Sequence, residues 1–121
     1  MKKILLVDDE RSILLLVESF LTSMGYEVVS FQSSQQAAWY LDEKSVDLVL
    51  TDFSMPGISG AVLAKLAKKR EIPVIIMTGK PWDLPANHLA DKIINKPFDL
   101  SNLAQTIADL IDFEIGGKNE I

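Results

Sequence analysis

The stretch Lys3-Ile4-Leu5-Leu6-Val7-Asp8-Asp9-Glu10 places four consecutive aliphatic residues directly before three acids. An unbroken apolar run of this length suits a strand buried on both faces of a parallel sheet, whereas a strand with one wet face would alternate. Outward from it, Glu27–Phe31, Asp47–Thr51, Val74–Met77 and Lys92–Asn95 have the same β-rich character, which predicts five strands. Between them, Ser12–Met24, Ser34–Glu43, Ser59–Lys69 and Leu100–Phe113 repeat apolar residues three and four apart, as in Leu103, Ile107, Leu110 and Ile111. Strict alternation with right-handed crossovers gives an α/β fold, a doubly wound five-stranded parallel sheet with helices on both faces. Its ligand crevice lies beyond the carboxyl ends of the strands. The segment from Gly79 to Ala90 breaks the pattern. Pro81 and Pro85 allow only a short or distorted fourth helix, beginning near Asp83 with Pro85 in its first turn.

The rest of the sequence narrows the function by exclusion. With 121 residues there is room for one domain, 1–115, and Gly116-Gly117 begins a tail or the start of a linker, 116–121. Cysteine is absent, which removes disulfide scaffolds, thiolate zinc sites and cysteine nucleophiles. A net charge of -5 argues against direct nucleic-acid binding. The longest aliphatic run, Ile13–Val17, is far too short for a membrane span, and Asp8 and Asp9 come too early for a secretory leader. These features point to a cytoplasmic home.

Polar residues stand where the strands stop. Asp8 and Asp9 follow the first, Asp52 the third, Thr78 the fourth and Lys96 the fifth, so all five can converge. Clustered carboxylates repel one another unless a cation sits among them, and all-oxygen ligation suits Mg²⁺ or Mn²⁺. A carboxylate beside such an ion can attack phosphorus, while the ion, a lysine and a hydroxyl bind the phosphoryl oxygens; Asp52 is the candidate nucleophile. Plainer readings exist for each residue alone: Asp8 or Asp9 as a helix cap, Asp52 as a turn former, Thr78 as a β-former, Lys96 as a surface lysine. Their shared placement at carboxyl ends is what favours a site.

Four motifs, Leu6-Val7-Asp8-Asp9-Glu10, Thr51-Asp52-Phe53-Ser54-Met55-Pro56-Gly57 with Gly60, Met77-Thr78-Gly79 and Lys96-Pro97-Phe98, occur in order at the spacing of the strands. In these the chain resembles the receiver domain of two-component response regulators, from Lys3 to about Phe113. The resemblance implies the flavodoxin-like strand order 2-1-3-4-5. It also implies that Asp52 accepts a phosphoryl group from a histidine kinase or phosphotransfer protein. Asp9, Asp52 and the Ser54 carbonyl would ligate Mg²⁺, with Asp8 helping through a water. Thr78 would bond the phosphoryl group, Lys96 would pair with it, and the Lys96–Pro97 peptide would be cis. The implied role is a signalling domain, assisting only its own phosphorylation and dephosphorylation. It would switch binding to a downstream effector protein, or to a C-terminal output domain not in this chain, as a monomer or a phosphorylation-dependent dimer.

Two positions depart from the family pattern. Ile93 stands three residues before the site lysine, where receivers carry an aromatic relay residue, and the proline-bearing segment lies on the same output face. Ser54 and Lys80, two residues beyond Asp52 and Thr78, occupy positions that tune phosphoryl lifetime, and a lysine there favours a long-lived acyl phosphate. An interaction module that works without phosphorylation is the main alternative. A haloacid dehalogenase-like phosphatase would need an aspartate at Ser54, and a flavin carrier would need a phosphate loop where Asp8 and Asp9 stand.

Overall fold

The computed structural model describes residues 1–112. Five strands, β1 (Lys3–Val7), β2 (Glu27–Phe31), β3 (Leu48–Asp52), β4 (Val74–Thr78) and β5 (Lys92–Asn95), form one all-parallel sheet in the order β2-β1-β3-β4-β5. Four helices accompany it: α1 (Arg11–Ser23), α2 (Ser34–Glu43), α3 (Gly60–Lys68) and α4 (Leu100–Ile111). Helix α4 is thus the expected fifth helix. Its expected end at Phe113, the boundary at 115 and the tail 116–121 lie outside the described residues.

Alternate residues of each central strand serve opposite faces. Leu5, Val7, Val49, Val74 and Ile76 pack against Ala37 and Leu41 of α2 and Leu63, Ala64 and Ala67 of α3. Ile4, Leu6, Leu48, Leu50, Ile75 and Met77 pack against Leu14, Val17 and Leu21 of α1 and Leu103, Ile107 and Ile111 of α4. Each valine, leucine, isoleucine or methionine side chain so removed from water contributes roughly 1.5–3 kcal/mol, which is why the central strands read as continuous apolar runs. Of the two aromatic neighbours in α2, Tyr40 packs against Phe31 at 5.6 Å between ring centroids. Trp39 instead stays 63% exposed.

No α-helix forms between β4 and β5. The segment makes one 3₁₀ turn, Pro81–Asp83, which ends where the short helix was expected to begin. Leu84 precedes Pro85 and is extended, with ψ 138°, because the proline ring clashes with a helical predecessor. Pro85 also lacks the N–H a second turn would need. Leu84 is buried and joins the α2–α3 side of the core, where Ala90 also packs. No helix among the described residues is long and apolar enough to cross a membrane.

Candidate functional site

The parallel sheet brings the carboxyl ends of β1, β3, β4 and β5 to one edge, and the five residues singled out in the sequence meet there. Asp8 is fully buried, Asp52 is 8% exposed and Thr78 5% exposed. Lys96 joins them: its Nζ lies 2.9 Å from Asp8 Oδ2, 3.3 Å from Asp52 Oδ1 and 3.8 Å from Glu10 Oε1. The Lys96–Pro97 peptide is cis. Lys96 N donates to Thr78 O at 2.8 Å, which ties the start of the Lys96 loop to the end of β4.

Asp8 does not cap α1. The N-cap is Glu10, whose side chain makes no capping bond, and Asp8 Oδ1 instead accepts the Glu10 amide at 2.9 Å, bending the chain into the helix. Asp52 Oδ1 accepts the Phe53 amide at 3.0 Å, whereas Oδ2 accepts no hydrogen bond from the described residues. Thr78 Oγ1 accepts the Lys80 amide at 3.0 Å, leaving its own proton to donate. Both glycines of the loop after β3 are structural. Gly57 has φ +84°, and a Cβ on Gly60 would sit 2.4 Å from Asp52 O, so only glycine lets α3 start this close to the acid.

The electrostatics are those of an under-neutralised acidic pocket. Burial pushes the Asp52 carboxyl up to about 6, and Asp8 adds to the rise while Lys96 and the Phe53 amide oppose it. Burial works to lower Lys96, but its bonds and proximity to Asp8 and Asp52 outweigh that and hold the ammonium above its ordinary range. One lysine therefore faces several carboxylates. Carboxylate oxygens of Asp8, Asp9 and Asp52 lie within 4.8 Å of one another, an all-oxygen set able to hold a divalent cation. A cleft of about 500 Å³ opens over them, lined also by Ser54, Thr78, Lys80 and Asp83.

Other residues take plainer roles. His88 Nδ1 accepts the Ala90 amide within its own loop. At the end of α3, Lys68 forms an ion pair with Asp91 at 3.0 Å, and just beyond it Arg70 donates to Leu41 O and Lys44 O. Buried Ser34 escaped notice in the sequence, where it follows the capping Ser33 and reads as one more polar residue at a helix start.

Comparison with known proteins places the chain in a family. The family model of the response regulator receiver domain matches residues 4–108. The regulatory protein VanR of Enterococcus faecium is 36% identical over 101 residues, covering 79% of this chain and 44% of VanR. The phosphate regulon transcriptional regulatory protein PhoB of Pseudomonas aeruginosa is 38% identical over 105 residues, 80% of this chain and 46% of PhoB. The chain spans under half the length of these curated relatives. Among solved structures, the response regulator TrrA of Thermotoga maritima, in complex with Mg(2+)-BeF, superposes with a TM-score of 0.81 at 32% identity, covering 91% of this chain and 99% of that one. A CheY-like receiver domain protein of Methanospirillum hungatei reaches 0.84 at 27% identity, covering 97% and 98%.

Proposed function

The chain belongs to the response regulator receiver domain family, and from that membership we propose that Asp52 accepts a phosphoryl group from a histidine kinase or a phosphotransfer protein in a Mg²⁺-dependent reaction. The observation that carries this reading is the buried Asp52 sharing Lys96 with Asp8 at the floor of an open cleft. Asp9, Asp52 and the Ser54 carbonyl would hold the Mg²⁺, with Asp8 assisting through a water. When bound, the ion supplies positive charge for the phosphoryl oxygens. With its carboxyl at about 6, Asp52 is ionised at neutral pH, and Oδ2 is the oxygen without a protein partner among the described residues. That oxygen attacks the phosphorus of a phosphohistidine. An oxygen–phosphorus bond forms as the nitrogen–phosphorus bond breaks, and the imidazole leaves with that electron pair and takes a proton from water. Lys96 Nζ and the Thr78 hydroxyl bind phosphoryl oxygens as charge shifts onto them.

The donor must bring its histidine to the rim of this pocket. An apolar cleft of about 450 Å³, lined by Ile13, Leu16, Pro97, Phe98 and Leu100, opens beside Lys96 and supports docking there. Phosphorylation then shifts the chain toward a state that binds an effector protein or an attached output domain better, in the cytoplasm. A second reading, an interaction module independent of phosphorylation, is favoured by Ile93, a half-buried aliphatic residue packed against the α2–α3 side of the core. Intact mass after incubation with acetyl phosphate separates the two. The first reading expects one phosphoryl adduct that disappears in EDTA and in Asp52→Asn; an unmodified wild-type chain that still binds Mg²⁺ favours the second.

A further inference from the structure

The turn between β2 and α2 reaches both loops of the acidic pocket. Phe31 O accepts the Asp8 amide at 3.2 Å, and Gln32 Nε2 donates to Asp9 O at 3.3 Å. Two residues further on, Ser34 Oγ accepts the Ile58 amide at 3.0 Å and donates to Pro56 O at 3.1 Å. Ser34 is 2% exposed and is the first residue of α2, a helix whose start is closed by the Gln36 amide bonding Ser33 Oγ. Its hydroxyl is thus carried on a rigid element, and both of its hydrogen-bonding functions go to the loop that bears Ser54. Without that hydroxyl the Ile58 N–H and the Pro56 C=O lose the partner that ties this half-buried loop to α2, and the loop is free to shift. Gly57 lies between these two contacts, and a Cβ there would come within 3.7 Å of Ser34 Oγ.

We infer that Ser34, assisted by Gln32, is a positioning residue for the divalent cation, holding the Asp8–Asp9 loop and the Ser54 carbonyl at the separation the ion requires. This rests on the reading that Asp9, Asp52 and Ser54 ligate Mg²⁺. Mg²⁺ tolerates little departure from octahedral geometry, so a loop displaced by a fraction of an ångström loses affinity. Loss of an outer hydrogen-bond partner of a metal ligand typically weakens binding by about 10–100-fold.

The test is a Mg²⁺ titration by calorimetry of the wild type, Ser34→Ala, Gln32→Ala and Asp9→Ala, at a temperature where circular dichroism shows each folded. A second readout is hydrogen exchange of the Ile58 amide in EDTA. Ser34→Ala is expected to weaken Mg²⁺ binding about 10-fold or more and to expose the Ile58 amide. A variant whose only defect is stability keeps the wild-type affinity while folded, and that result overturns the inference. If Ser34→Ala does not fold, Gln32→Ala decides, because Gln32 is exposed: a few-fold weakening supports the brace and unchanged affinity overturns it. Asp9→Ala separates the two levels. Loss of binding there with full affinity in Ser34→Ala sinks the brace alone, whereas full affinity in Asp9→Ala sinks the metal reading and the brace with it.

Discussion

The loop after β3 and the segment after β4 leave the same edge of the sheet and are built in opposite ways. From Phe53 to Ser59 the chain is held closely: Gly60 N donates to Phe53 O, Phe53 N to Met77 O, and Ser34 bridges Pro56 and Ile58. From Gly79 to Ala90 it is anchored mainly near its ends. Thr78 Oγ1 accepts the Lys80 amide at the start, and Asp91 accepts Lys68 Nζ and the Val74 amide at the finish. In between, Leu84 alone is buried and Trp82 is 75% exposed. Phosphoryl chemistry needs donors and acceptors fixed to within a fraction of an ångström, so the first loop has little freedom to vary. The second segment contributes Leu84 to the buried core, with Ala90 packed against the same side, and does so without a helix.

The largest effect is expected at Lys96. Lys96→Ala should slow acyl-phosphate formation by about 100-fold or more, read as the rate of adduct growth by intact mass. In EDTA it should also cost about 3 kcal/mol in a urea melt, because Asp8 and Asp52 lose the cation they share, and Mg²⁺ should restore part of that loss. In the second segment the expected effect is purely structural. Leu84→Ala should cost roughly 2–3 kcal/mol, and Trp82→Ala should stay within about 0.5 kcal/mol. Equal losses would mean that the segment is not held by Leu84.

A pH series sharpens the contrast further. Asp52 rises from 3.8 to about 6 on folding, so its ionised form is disfavoured in the native state. That penalty is absent below its unfolded value, grows as pH rises through about 6 and persists above. Asp52→Asn should therefore raise the Tm of the metal-free chain at pH 7.5, and the gain should vanish as pH falls below 3.8; a gain independent of pH would assign the effect to packing. A smaller effect on the chemistry is expected at Lys80, which lines the cleft. Lys80→Ala should speed loss of the phosphoryl adduct a few-fold by removing a cation that shields it from water, and an unchanged decay would remove Lys80 from the site.

The two regions were also unequally legible. The apolar runs Ile4–Val7 and Leu48–Leu50 announce strands buried on both faces, and strand ends fix where Asp8, Asp9, Asp52, Thr78 and Lys96 gather. Those assignments are local, one run and the residue after it. The third strand extends one residue beyond the expected Thr51, to Asp52, and starts one later, because Asp47 turns outward to accept the Lys3 amide at 2.7 Å. In the second segment the prolines announced irregularity but not its form. A helix from Asp83 requires Leu84 to be helical, and Pro85 forbids that. Ser34 was illegible for another reason: its partners Pro56 and Ile58 lie 22 and 24 residues away, and only the folded sheet brings them together.

If Asp52 is the phosphoacceptor, as proposed, occupation of its pocket should be felt by the loops that line it, including the start of the segment after β4 at Lys80 and Asp83. Hydrogen exchange with and without Mg²⁺ and beryllofluoride, a stand-in for the aspartyl phosphoryl group, tests it most directly. Exchange should slow at 8–10 and 52–58 and change in rate across 79–90, with α4 little affected and no response in Asp52→Asn. Exchange unaltered in the wild type, or altered equally in Asp52→Asn, would contradict it.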